Sequence, residues 1–150
     1  MKIIAKLTVP DIEKGAIRVA FASVDGITVD DHFGWARSFY IFDVSAEGSK
    51  RSGRIVCEAE TAEGGNNEDK LEAKVEALDG CHIVYSRAIG GPAAARLSRK
   101  RIQPLIARDE VEIEALIGQL GRVLNGAMPP WLRRIAREED PARFEEFEEE

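Results

Sequence analysis

The sequence predicts an α/β fold: a single domain with a mixed five-stranded sheet flanked by helices. Three observations predict it. The early strand-like runs are joined by short links, which favours antiparallel neighbours. From residue 67 onward the apolar period alternates between helix and strand, and that alternation calls for parallel pairing with right-handed crossovers. The chain has 150 residues, 44% of them hydrophobic and 32% charged, so it is long enough for one core and ordinary for a globular domain.

Residues 1–16 read as a leader or edge strand. A short strand over 2–9 would be ended by Pro10-Asp11, with at most one helical turn over 11–14. Residues 17–24 alternate, placing Ile17, Val19 and Phe21 on one face of a first main strand. Asp25-Gly26 marks a turn. Residues 38–44 are rich in aromatic and β-branched side chains and form a second strand. A polar turn over 46–53 leads to a third strand over 54–60.

Residues 61–66 form a glycine-containing loop. Asn67 then suits a helix N-cap, with Glu68 and Asp69 in the first turn. Leu71, Val75 and Leu78 recur at helical spacing until Gly80 stops the helix. Residues 82–86 make a short fourth strand. Pro92 fits the first position of a second helix over 93–99. A fifth strand over 103–107 precedes a third helix over 109–125, with Ile113, Leu116, Ile117, Leu120 and Leu124 on one side. Trp131, Leu132 and Ile135 dock a last element on the domain, with Arg133, Arg134 and Arg137 facing out. The organisation is therefore leader 1–16, a binding domain 17–137 and an acidic tail 138–150. Phe144 and Phe147 in that tail permit a frayed amphipathic helix, but a solvated tail is the plainer reading.

The formal net charge of −6 is unevenly spread. Residues 138–150 hold eight acids and one arginine, a net of −7, which leaves 20 basic against 19 acidic residues, or +1. A balanced domain does not present the broad basic surface of a nucleic-acid binder. No apolar run approaches the roughly 20 residues that span a bilayer, and residues 1–10 lack the pattern of a signal peptide. The expected compartment is the cytoplasm, where Cys57 and Cys81 stay as thiols. Two cysteines cannot supply the four thiolates of an ordinary iron–sulfur or structural zinc site.

The stretch Asp30-Asp31-His32-Phe33-Gly34-Trp35 concentrates chemistry in a connection between two strands, where binding groups gather. A neutral imidazole such as His32 is a common ligand for transition metals, and one imidazole can cap a metal cluster whose other ligands are in place. The plain alternative is a loop histidine bonded to a carbonyl or to Asp30. Gly34 lets backbone approach a ligand or serves a positive φ. Ser86-Arg87-Ala88-Ile89-Gly90-Gly91-Pro92 links a strand end to a helix start, a place where helix amides favour anions; a glycine pair before proline equally makes a simple turn. Cys81 is a possible soft ligand or a buried structural thiol. His82 and Cys57 read as structural. Asp25, Asp30, Asp31 and Asp43 could form a two-metal carboxylate cluster, although turn and cap roles account for Asp25 and Asp43 at less cost.

The runs 17–23, Asp25-Gly26, Asp31-His32-Phe33-Gly34 and 39–43 together resemble the opening of the dinitrogenase iron–molybdenum cofactor-binding family. The likeness continues through Glu68-Asp69-Lys70-Leu71, Leu78-Asp79-Gly80-Cys81 and 88–96, and Pro130-Trp131-Leu132 narrows it to one branch. It implies a ribonuclease-H-like fold without nuclease activity. The implied cofactor is an iron–sulfur cluster: NifB-co, a later precursor of the iron–molybdenum cofactor, or that cofactor itself. The implied partners are the nitrogenase cofactor-assembly proteins, a precursor synthase and a maturation scaffold, with no nucleic acid and no membrane. His32 maps onto the family's cluster ligand, within its motif with Phe33 and Gly34, and Cys81 onto a second metal-ligand position. Such clusters are anionic, so charge adds Arg37 and Arg87 as helpers, beside Gly90 and Gly91. If the first and fourth strands are parallel neighbours, His32 comes toward Gly90-Gly91. The reading is a non-enzymatic carrier. Its rivals are a metal-dependent nuclease-like enzyme using the aspartates, and an interaction module working through Trp131, the arginines and the tail.

Overall fold

Strand order places the His32 loop. The computed structural model describes residues 3–7, 15–57 and 67–138. The strands are β1 (Ile3–Leu7), β2 (Ile17–Ala22), β3 (Thr28–Val29), β4 (Ser38–Ser45), β5 (Gly48–Cys57), β6 (Ile83–Ser86), β7 (Gln103–Ile106) and β8 (Val111–Glu112). The helices are α1 (Asn67–Ala77), α2 (Gly91–Arg99), α3 (Ile113–Leu124) and α4 (Pro130–Glu138). The main sheet has the order β1-β5-β4-β2-β6-β7, and β3 pairs with β8 in a two-stranded ribbon.

The five expected strands are all present, and the sheet is mixed as anticipated. β2, β4 and β5 are antiparallel, while β6 joins β2 and β7 in parallel. The sixth strand is β1, which lies antiparallel against β5 and takes the edge-strand option for the first residues. The remainder of that leader, the loop over 61–66 and the tail beyond Glu138 lie outside the described residues.

Two boundaries differ for a physical reason. β5 begins at Gly48, not residue 54, because Ser45 and Gly48 close a two-residue hairpin that extends the ladder. Lys50 and Arg51 are exposed there, so polar composition concealed a paired strand. α3 begins at Ile113, not residue 109, because Val111 and Glu112 are drawn into the ribbon with Val29 and Thr28.

Each sheet face carries its own core. Ala20, Ala22, Phe39, Ile41, Ile55 and Val84 face α1 and α2, meeting Val75, Leu78 and Leu97. Ile17, Val19, Phe21, Val44 and Ile83 face α3, meeting Ile113, Leu116 and Leu120. β2 is buried along its whole length. Its carboxyl end, together with that of β6, opens onto the loop that holds His32.

Candidate functional site

Two backbone bonds bracket His32. The Arg87 N–H donates to the Asp31 carbonyl at 2.8 Å, and the Phe33 N–H donates to the Ala88 carbonyl at 2.8 Å. The parallel pairing of β2 with β6 brings these segments to one sheet edge. The Phe33 ring is fully buried and packs on Phe39 with centroids 5.5 Å apart. His32 is exposed to solvent while Phe33 beside it is buried and the backbone on either side is held. The loop is closed behind it by the Trp35 N–H on the His32 carbonyl at 3.2 Å and the Ala36 N–H on the Phe33 carbonyl at 3.4 Å.

The same edge carries the α2 N-terminus. Gly90 is its N-cap and offers no side-chain cap, while Pro92 sits in the first turn. The early amides of a helix have no intrahelical acceptor. Gly34, Gly90 and Gly91 are exposed and none has positive φ. A Cβ at Gly34 or Gly91 would meet nothing within 4 Å, and at Gly90 only Pro92 Cδ at 3.9 Å. The protein's own packing thus gives no reason for glycine at these positions, and the backbone there is open to solvent.

Charge around the loop is mixed. The Asp31 carboxyl is held above its ordinary range by burial and by neighbouring Asp30, against the pull of Lys74, His32 and Arg37. Arg37 is exposed and near enough to contribute to that pull. Arg87 behaves differently from the expectation. Its backbone pins the loop, but its guanidinium turns away to the Ala107 and Arg108 carbonyls at 3.1 Å each, with Glu110 at 3.8 Å. As a charge for the His32 site it is already engaged elsewhere.

Cys81 is not brought to His32. It is buried, 5% exposed, at the start of β6, whereas the loop pairs beyond the strand's far end, a largely extended run of roughly 20 Å away. Cys81, offered by the resemblance as a second metal ligand, therefore lies at the opposite strand end from His32. Cys57 lies nearer: its N–H donates to the Arg37 carbonyl at 2.8 Å, but its thiol is buried and pushed up by that burial. His82 is structural as read, its Nδ1 accepting from the Arg18 N–H at 2.9 Å.

The aspartates do not assemble. Asp25 Oδ1 accepts from the Ile27 and Thr28 N–H groups and from Ser23 Oγ. Asp43 grips Arg18 in a buried two-pronged pair at 2.8 and 3.1 Å, near the opposite sheet end. Among the described residues no three histidine, cysteine or carboxylate side chains converge as a metal cage. A cavity of 230 Å³ lined by Ala16, Asp43, Ser45 and Lys50 also lies at that far end.

The sequence reading missed Lys74. This lysine is 2% exposed, and its Nζ donates to the Phe33 carbonyl at 3.1 Å and the Gly34 carbonyl at 3.0 Å. The signal was present: Lys74 falls inside the apolar stripe of Leu71, Val75 and Leu78, where a solvated lysine has no place.

The dinitrogenase iron–molybdenum cofactor family matches residues 15–122. The chain belongs to that family. It is 35% identical over 140 residues to the protein NifX of Sinorhizobium fredii (strain NBRC 101917 / NGR234), covering 91% of this chain and 88% of that protein. It is 38% identical over 132 residues to NifX of Azotobacter vinelandii, covering 86% and 82%. It is also 30% identical over 127 residues to the FeMo cofactor biosynthesis protein NifB of Rhizobium meliloti, covering 84% of this chain but 26% of that protein. The crystal structure of PH0822 shares the fold, with a TM-score of 0.52 at 23% identity over 71% of this chain and 89% of that one. Family membership gives the chain its setting, nitrogen fixation and FeMo-cofactor biosynthesis. In this family member no helix of the described residues is long and apolar enough to cross a membrane.

Proposed function

We propose that the chain is a non-enzymatic carrier of an iron–sulfur precursor of the iron–molybdenum cofactor, NifB-co or a later intermediate, or of the finished cofactor. One observation carries the reading. The His32 ring is exposed while both its flanking peptide units are pinned to the segment that opens α2. The donor set suits cargo that arrives assembled. A bare metal ion wants three or four protein ligands, whereas a cluster brings its own sulfides and needs only a cap. A single exchangeable imidazole supplies that cap. Backbone N–H groups and Arg37 favour the cluster's negative charge, and release stays easy because no thiolate cage holds the metal. The cytoplasmic assembly proteins, a precursor synthase and a maturation scaffold, are the donor and acceptor in this reading. Cys81 has no part in it.

The test is anaerobic purification from cells making the precursor, followed by iron per chain and visible absorption. His32→Ala should lower iron by at least about tenfold, the loss of one ligand-class interaction; undiminished iron removes His32 from the site.

A second reading, an interaction module without cargo, has its own observation. Val24, Ile27, Trp35 and Ile106 are 54–74% exposed; the first three come after the carboxyl end of β2, and Ile106 is the last residue of β7. Trp131, which the interaction reading also invoked, packs against the α3-side core, as its expected docking role requires. Stable capture of an assembly protein by a chain that never carries iron would favour this reading.

A further inference from the structure

We infer that Lys74 is a positioning residue of the His32 site, holding two loop carbonyls inward so that the Gly34 N–H faces out as a donor to the bound cluster. The inference rests on the carrier reading and adds a donor and its support.

The geometry proceeds from the helix to the loop. Lys74 rises from α1 and is almost wholly buried, so the Phe33 carbonyl that it reaches points into the protein. No peptide bond here is cis. In a trans peptide the N–H lies opposite the C=O. The Gly34 N–H therefore points away from Lys74, and Gly34, like His32, is exposed. Among the described residues no carbonyl or side chain accepts from it. Nothing occupies the space beside Gly34 Cα either.

The ammonium adds a second effect. It sits 5.8 Å from the Phe33 ring centroid, and its charge acts on Asp31 and Cys57. Placed beneath the loop, it biases the local field in favour of an anion above it. A buried ammonium is costly unless its hydrogen bonds are made. The bonds to the loop carbonyls are ones an apolar residue could not make, and the consequence of holding them is an outward N–H in the His32 loop. Sulfides of iron–sulfur clusters accept hydrogen bonds from backbone N–H groups.

Two measurements test this. In the unaltered chain the Gly34 amide should exchange with solvent fast and slow at least tenfold once isolated iron–molybdenum cofactor is bound; an unchanged rate overturns the inference. Lys74→Met should lower iron per chain about tenfold, matching charge-assisted hydrogen bonds of roughly 1.5 kcal/mol. It should also speed exchange of the Phe33 amide, which the Ala88 carbonyl protects. Loading and exchange like the unaltered chain would overturn the role of Lys74, while a loss on His32→Ala would leave the carrier reading standing. If no chain loads, the carrier reading fails, and the Phe33 exchange rate of Lys74→Met alone decides the clamp. Should Lys74→Met fail to fold, Lys74→Gln replaces it: one neutral donor should restore Phe33 protection only in part, and full protection with full loading overturns the clamp.

Discussion

At the scale of single residues, two positions separate local strain from local charge. Gly26 has φ of +79°, and a Cβ there would come within 2.8 Å of the Tyr40 ring. Alanine at this position must accept left-handed backbone and also displace a buried aromatic. Gly26→Ala should cost about 2 kcal/mol and lower the thermal midpoint by about 5 °C, measured by circular dichroism; an unchanged midpoint would mean that the turn relaxes freely. Asp31 tests the sign of a charge. Burial and Asp30 raise its carboxyl above 3.8, so the folded chain binds that proton more readily than the unfolded one. Stability from this group falls as pH rises from 3.8 through the raised value and stays low above it. Asp31→Asn should therefore be more stable than the unaltered chain at pH 7 and lose that advantage below pH 3.8. Urea midpoints at the two pH values measure it. An equal advantage at both would assign the effect to packing instead.

At the scale of elements, what was legible follows from how burial imprints itself on sequence. β2 and β4 announce themselves because their alternation and aromatic content meet cores on both sheet faces. The first half of β5 does not, since Lys50 and Arg51 are paired in backbone but exposed in side chain. The His32 loop was legible as a concentration of chemistry, whereas the parallel β2–β6 pairing stood in the sequence only as a condition that the sheet order meets. The direction of the Arg87 guanidinium was not, because it depends on carbonyls at Ala107 and Arg108 that no local pattern links to it. Lys74 was visible only as a charge on the wrong face of a helix. α4 poses a further question, since it lies beyond the family match at 15–122. Leu132 is 1% exposed within the core beneath α3, which makes α4 part of the domain. Leu132→Ala should cost about 2–5 kcal/mol and shift one cooperative calorimetric transition downward. A separate early transition with the main one unmoved would show α4 to be an appendage.

At the scale of the whole molecule, the uneven charge becomes a kinetic property. The chain carries −6 by formal count, whereas residues 1–137 alone carry +1. An anionic cofactor approaching the His32 end meets the summed field before it meets any donor, and such fields change association rates more than contacts do. Removing residues 138–150 should therefore speed uptake of isolated iron–molybdenum cofactor by about two- to tenfold at low ionic strength. Trp35, exposed in the loop itself, provides a fluorescence signal, with Trp131→Phe removing the other tryptophan. The gain should shrink as salt rises, because the screening length falls to about 8 Å at physiological ionic strength. Uptake by the unshortened chain should quicken as salt screens its own negative field, while the shortened chain, near neutral, should change least. A gain that persists unchanged at high salt would mean that residues 138–150 act by contact instead of by charge, and no gain at any salt would mean that the His32 end does not sense the net charge of the chain.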